Sequence, residues 1–255
     1  MLLALALVLQ SSPIANNRKA EFLRTATVVK AVPAGSGVTG SWRLTLQDSG
    51  LTHDAHFQSI DDRAATKQVG GRVELGFVDS YRYNIAAYRL AELLGLDDIV
   101  PVSVERSWRS RNGAMTWWVD EVMMDESQMI ERGLRPPDGE SWSRQVAKVK
   151  LFSQLIHDTD RNRSNVLVTR SFRVWAIDFT RAFRPWPKLR STEGLLRCER
   201  ELFASLRALK RNDLEARLGS VLEPREIEGV LARRDLLVAH FEGLMRERGE
   251  AAVLY

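Results

Sequence analysis

Carboxylates, amides and guanidinium groups crowd into His157-Asp158-Thr159-Asp160-Arg161-Asn162-Arg163-Ser164-Asn165 and its sequel Ile177-Asp178-Phe179-Thr180. Polar groups of this kind are costly to enclose without partners or a ligand. Asp160 stands five residues before Asn165, and Asn165 thirteen before Asp178. The apolar runs Val166-Leu167-Val168 and Phe172 to Ile177, joined at Thr169-Arg170-Ser171, read as a short hairpin, with Asn165 just before one strand and Asp178 just after the other. Paired strands bring both residues to one end of the hairpin, which is what shared coordination of a cation requires. The bland alternative is a polar turn satisfied by its own side-chain caps.

The elements that must hold this cluster can be read on either side of it. Upstream, the spacing predicts a helix from about Ser141 to Ile156, with Trp142, Val146, Val149, Phe152 and Ile156 on one face. Before it, Arg135-Pro136-Pro137-Asp138-Gly139 marks a boundary loop. Downstream the chain reads as helical: Leu195 to Leu209, a capping-box-like start at Asn212 with Glu215, and a helix from Pro224 to about Arg248. The first half reads as strands at Thr27 to Val32, Ser41 to Leu46 and His53 to Ile60, then a loop from Asp61 to Val78. His53 and His56 read as ordinary strand residues rather than a metal pair. A helix follows from Tyr81 to Leu94, capped by Asp79 or Ser80 and ended by Gly95. Strand-like runs at Val100 to Arg106 and Met115 to Val122 flank an Asn112-Gly113 turn signal. Between the first two strands lies Gly35-Ser36-Gly37-Val38-Thr39-Gly40, a G-x-G-x-x-G match. Strands on both sides exclude the strand-to-helix Rossmann context. It is either a phosphate-covering loop or a hairpin turn that needs positive φ.

Length and composition bound the answer. A chain of 255 residues, 44% apolar and 27% charged, can bury a large core and is not disordered throughout. The +4 charge and pI of about 9.4 favour anionic ligands, but the basic residues are spread along the chain, which argues against nucleic acid. Cys198 is the single cysteine, which excludes an internal disulfide and a cysteine-based zinc site. The run Met1 to Leu9 is too short to span a bilayer, which takes roughly 20 apolar residues. It has the length of a signal-peptide core, so residues 1–18 read as a leader-like or disordered segment, with a buried first helix as the alternative. Export, to a periplasm for instance, is the expectation if the leader is real, and a cytoplasmic location otherwise.

Together these elements resemble the protein-kinase-like superfamily: an α+β, bilobal fold with a β-rich N-lobe of one helix (residues 19–124) and a mainly helical C-lobe (residues 125–255). Asp160-Arg161-Asn162-Arg163-Ser164-Asn165 is similar to the D-R-x-x-x-N form of its atypical branches, namely HipA-type, phosphatidylinositol and secretory-pathway kinases. Asn84-Ile85-Ala86-Ala87-Tyr88-Arg89-Leu90 resembles the E-I-A-A-F-x-L helix of the secretory-pathway group, and uncharacterised bacterial proteins of the superfamily look similar too. The resemblance implies ATP-dependent phosphoryl transfer to a hydroxyl of a protein or small molecule. Asp160 would be the catalytic base, and Asn165 and Asp178 would hold Mg²⁺ or Mn²⁺. Gly35, Ser36, Gly37 and Gly40 would cover the phosphates, and the Asp120 to Met124 segment, through Asp120 and Val122, would be the hinge against which adenine lies. Two departures stand out: Gln58 occupies the place of the phosphate-gripping lysine, and Asn84 that of its glutamate partner. A Gln58–Asn84 hydrogen bond is a neutral substitute, or a cation comes from Lys30 or Arg43. Asp178-Phe179-Thr180 lacks the usual glycine, which restricts backbone flips but spares the carboxylate. The alternatives are a pseudokinase that binds nucleotide or acts as a scaffold, and an AMP-transferring enzyme.

Overall fold

The computed structural model describes residues 14–34 and 40–255. Helix α1 (Asn16–Thr25) leads into strands β1 (Thr27–Pro33), β2 (Trp42–Gln47), β3 (Thr52–Gln58), β4 (Asp61–Val69) and β5 (Arg72–Ser80). Helix α2 (Arg82–Leu94) and strands β6 (Ser103–Trp108), β7 (Arg111–Trp117) and β8 (Val122–Asp125) follow. The second half holds α3 (Glu126–Glu131), α4 (Gly139–Leu155), β9 (Val166–Thr169), β10 (Val174–Ala176), α5 (Arg200–Ala208), α6 (Arg211–Leu218), α7 (Pro224–Arg248) and α8 (Glu250–Val253). Among the described residues no helix is long and apolar enough to cross a membrane.

A five-stranded antiparallel sheet in the order β1-β2-β3-β7-β6 forms the first lobe. Its strands alternate as a half-buried sheet should. Leu44, Leu46, Ala55 and Phe57 are buried on the core side, whereas Arg43 and His56 alternate to the other. Helix α2 buries Ile85, Ala86, Leu90 and Leu94 in that core, and Gly95 ends it at φ +68 with Leu96 N–H donating to Ala91 O. The second lobe pairs β10-β9-β8 and packs α4, α5, α6 and α7 around Phe152, Leu206, Leu214 and Phe241.

Several local expectations are corrected. Residues Asn16–Arg18, grouped with the leader in the sequence reading, form the first turn of α1, so the N-lobe carries a second helix. Phe22 and Leu23 anchor it in the core, and Asn16 Nδ2 donates to Asp97 at 2.8 Å. The helix α2 has no side-chain cap from Asp79; Tyr81 occupies the cap position. The supposed loop from Asp61 to Val78 is a two-stranded ribbon, β4 with β5, turning at Gly70 and Gly71, both at positive φ. Val73 and Leu75 stay exposed while only Phe77 is buried, so periodicity gave little sign of it. Residues Leu195 to Glu199 precede α5 rather than belonging to it. Helix α6 starts at Arg211, after Lys210 whose N–H is taken by Asp213.

The β6–β7 turn lies at Arg109 and Ser110, with φ of +50 and +60, and not at Asn112-Gly113. Gly113 instead sits within β7 because a Cβ there would lie 2.6 Å from Gln58 O and from the Phe57 ring. Gly113→Ala is therefore expected to lower stability by about 1–3 kcal/mol through overpacking against β3, measured as a lower denaturant midpoint at unchanged slope.

Candidate active site

The helix α4 ends at Leu155 with Ile156 at its C-cap, and the chain turns sharply at His157, φ +48. The His157 ring is buried and bonded through Nδ1 to Lys188 O at 3.0 Å. Burial first, then the nearby Arg233, pulls its pKa down to about 4. The unfolded chain binds this proton from about pH 6.5 downward. Stability from neutral His157 is thus complete above that pH and is lost as pH falls towards 4, by roughly 3 kcal/mol in all. Urea titrations of the parent and His157→Gln across this window should show the slope only in the parent.

Asp158 is buried beside Arg161, with Oδ2 accepting from Nε at 2.9 Å and lying 2.7 Å from Nη2. Arg161 Nη1 donates to Asn165 O at 2.8 Å and Ile177 O at 2.7 Å, while Nη2 reaches Asp178 O at 3.4 Å. One guanidinium therefore ties the loop carrying Asp160 to both ends of the β9–β10 hairpin. Its plane also lies 4.7 Å from the Phe179 ring centroid. Asn162 does act as a cap, accepting from Ser164 N–H at 3.0 Å and Asn165 N–H at 3.2 Å. Self-capping thus accounts for Asn162, and the Arg161 ion pair for Asp158, leaving Asp160, Asn165 and Asp178.

Those three converge. Asn165 donates through Nδ2 to Asp160 O at 3.4 Å, which leaves its amide oxygen available, and Ile177 N–H bonds Asn165 O at 3.0 Å. Asp178 sits at φ +54, a conformation aspartate tolerates better than most residues, and accepts from Thr180 Oγ1 through Oδ1 at 3.0 Å. Partial burial raises the Asp160 pKa; Arg181 opposes the rise, and Asp158 and Asp178 add to it. Asp79, at the end of β5, is a further carboxylate here that the sequence reading considered only as a helix cap. Burial pushes it up, Thr180 and Asp178 lie close to it, and its Oδ1 is buried without a partner among the described residues.

A cleft of about 410 Å³ opens from this point. Gln58, Asn84, Asn165 and Asp178 line its polar end; the remainder is mainly apolar, with Val100, Pro101, Val119, Val122 and Leu167, and also carries His56, Ser103 and Thr116. The Gln58–Asn84 bond is present: Asn84 Nδ2 donates to Gln58 Oε1 at 3.0 Å, and Asn84 Oδ1 accepts from Phe179 N–H at 2.8 Å. A neutral relay thus links β3, α2 and the residue after Asp178, without a buried charge.

The remaining expected site residues are dispersed. Lys30 is exposed on β1 opposite Thr45. Arg43 is held by Asp54, Nη2 to Oδ2 2.6 Å, and lies 4.4 Å from the Trp118 ring, outside the cleft lining. Asp120 pairs with His53 Nε2 at 2.9 Å beside a separate small cavity, whereas Val122 does line the cleft. Gly40 takes φ +60, and Gly35, Ser36 and Gly37, like the apolar run expected to be a leader, lie outside the described residues. Among the described residues lining the cleft there is no lysine or arginine. His56, read from sequence as an ordinary strand residue, does line it. The signal was available: His56 lies two residues before Gln58, on the same face of β3.

The donor set suits a hard divalent cation, since Asp178 and Asn165 both offer oxygen. Among the described residues no group of three or more His, Cys, Asp or Glu side chains is placed to hold a metal ion on its own. A cation here would draw its remaining ligands from bound phosphate and water.

The fold and this two-lobed cleft define an atypical protein-kinase-like architecture. Hydra Fam20, solved with sugar, superposes with a TM-score of 0.67 at 14% identity, covering 94% of this chain and 91% of that one. The Golgi casein kinase with Mn/ADP bound gives 0.66 at 12%, covering 94% and 78%. The Helicobacter pylori proinflammatory kinase CtkA gives 0.56 at 10%, covering 89% and 98%. No family model and no curated protein sequence matches the chain.

Proposed function

We propose that this protein is an ATP-dependent, Mg²⁺- or Mn²⁺-assisted phosphotransferase acting on a hydroxyl of a protein or small molecule. The observation that carries the reading is that Asn165 and Asp178, tethered together by Arg161, line the polar end of the cleft, with the Asp160 backbone bonded to the Asn165 amide beside them. Asp160 takes the proton of the acceptor hydroxyl, whose oxygen bonds to the γ-phosphorus as the bond to the β-phosphate oxygen breaks and ADP leaves. Asn165 and Asp178 would hold a divalent cation, which would supply charge neutralisation at the transferring phosphoryl group. The raised pKa of Asp160 suits a base, because a more basic carboxylate accepts a proton more readily once ionised. The Golgi casein kinase, solved with Mn/ADP, supports nucleotide and divalent-metal use for a fold of this kind.

One observation favours a second reading. Without a lysine or arginine on the described cleft lining, the chain suits a pseudokinase that binds nucleotide and transfers nothing. Incubating the full chain with ATP and Mn²⁺ and measuring intact mass separates these outcomes. A phosphoryl adduct on the chain or an acceptor supports transfer, an adenylyl adduct identifies AMP transfer, and stabilisation without any adduct identifies the pseudokinase.

A further inference from the structure

At the end of the five-stranded sheet nearest the β6–β7 turn, three aromatic rings meet on the face turned away from the cleft. Trp42 pairs with Phe57 across β2 and β3, and both project opposite to His56, the strand neighbour of Phe57 that lines the cleft. Trp108 closes β6 beside them; its ring meets those of Trp42 and Phe57 edge to face, each at 5.4 Å between centroids. The Phe57 ring lies over β7 because position 113 is glycine, where a Cβ would stand 2.6 Å from it. A cavity of about 240 Å³ opens among the three rings, and Ser59, Arg109 and Arg111 complete its lining. No residue of α2 and none of the nucleotide cleft takes part.

Arg109 and Arg111 are exposed at the rim, and no carboxylate stands among the lining residues to match them. The Arg109 guanidinium lies 4.4 Å from the Trp108 ring centroid and 5.1 Å from that of Trp42. A guanidinium resting on an aromatic face still presents its N–H edge, a planar fork that suits a carboxylate. The turn itself is not built for backbone ease: Arg109 and Ser110 take φ of +50 and +60, where a two-residue hairpin turn ordinarily favours Asn-Gly. Left-handed backbone at a residue with a long side chain marks a position held for that side chain.

We propose that this corner of the sheet is a docking site for a partner protein, which seats one aromatic side chain against Trp42, Phe57 and Trp108 while flanking carboxylates meet Arg109 and Arg111. The cavity is smaller than the roughly 300–1,000 Å³ of small-molecule sites and suits a single side chain. Interfaces concentrate their affinity in such anchors, an aromatic group in a pocket beside arginine. Charge selects the partner over the chain's own segments 1–13 and 35–39, neither of which holds an aspartate or a glutamate. Because the site faces away from the cleft, a docked partner leaves the cleft open, and the inference does not depend on the nucleotide reading.

Fluorescence polarisation of the full chain with a labelled Glu-Glu-Phe-Glu-Glu peptide tests the assignment. This peptide should bind at least about tenfold more tightly than Glu-Glu-Ala-Glu-Glu or Lys-Lys-Phe-Lys-Lys, and added salt should weaken it. Trp108→Ala should weaken it by about tenfold. Arg109→Glu combined with Arg111→Glu, both at exposed positions, should turn the preference to the lysine peptide, and this variant decides the matter if Trp108→Ala fails to fold. ATP with Mn²⁺ should leave peptide binding unchanged; competition between them would place the peptide in the cleft and overturn the proposal. Equal binding of the phenylalanine and alanine peptides, or of the acidic and lysine peptides, would overturn it as well. So would a parent dimer that Arg109→Glu dissolves, since the occupant would then be a second copy of the chain.

Discussion

Asp178→Ala is expected to abolish phosphoryl transfer, by about a thousandfold or more, equivalent to roughly 4 kcal/mol of transition-state stabilisation. It should also remove the metal-dependent part of nucleotide binding, because Asp178 supplies the only carboxylate on the described cleft lining. Asp160→Ala should reduce transfer by about 10²- to 10⁴-fold, the usual contribution of a general base, while leaving ATP and Mn²⁺ bound. The split between the two variants tests the roles separately: thermal stabilisation by ATP with Mn²⁺ disappears in the first and persists in the second. Retained transfer in either variant would sink its assigned role. Since the Asp160 carboxyl titrates above its ordinary range, the rate should rise with pH along a limb displaced upward from about pH 4, and Asp160→Asn should lack that limb.

The second large effect lies one residue along. Arg161→Met leaves the buried Asp158 carboxylate without its partner and frees Asn165 O and Ile177 O. Breaking a buried pair from one side costs about 3–5 kcal/mol. The denaturant midpoint should fall accordingly, and nucleotide-dependent stabilisation should fall with it, because Asn165 and Asp178 lose their common tether. Adding Asp158→Asn to Arg161→Met should recover part of the stability, since no uncompensated carboxylate then remains, but should not restore the site. If the double variant is as unstable as the sum of the two single changes, Arg161 acts through its carbonyl bonds rather than through the ion pair.

A second arginine-centred arrangement explains why the segment after Asp178 can do without a glycine. Glu74 of the β4–β5 ribbon bonds both Arg181 and Arg184, and Arg184 Nη1 also donates to Gly76 O at 2.9 Å. Ser80 N–H donates to Thr180 O at 2.8 Å. The ribbon thus fixes the backbone just beyond Asp178, in place of the mobility that a glycine would allow there. Nothing in the ribbon's own alternation announces this role, because its partners are charged groups from the other lobe, more than a hundred residues away.

Local chemistry was legible where neighbours along the chain decide it. β-Branched content marked β1, period-two alternation marked β2, helical spacing marked α2 and α4, Pro224 marked the start of α7, and the hairpin reading brought Asn165 and Asp178 to one end. The paired replacement of lysine and glutamate by Gln58 and Asn84 was also readable, because a polar pair that loses both charges together needs only a hydrogen bond to remain satisfied. What tertiary structure alone decided is which polar side chains share a space. Gly113 belongs in a strand because Phe57 of another strand presses against it; Arg43 is spent on Asp54 and Trp118; and Asp120 turns to His53. His56 comes to line the cleft because sheet register places it on that side, and register depends on strands paired far apart in sequence. The sequence by itself brought out the oxygen-rich segment; the packing of two lobes decided that no described lysine or arginine lines the cleft into which it opens.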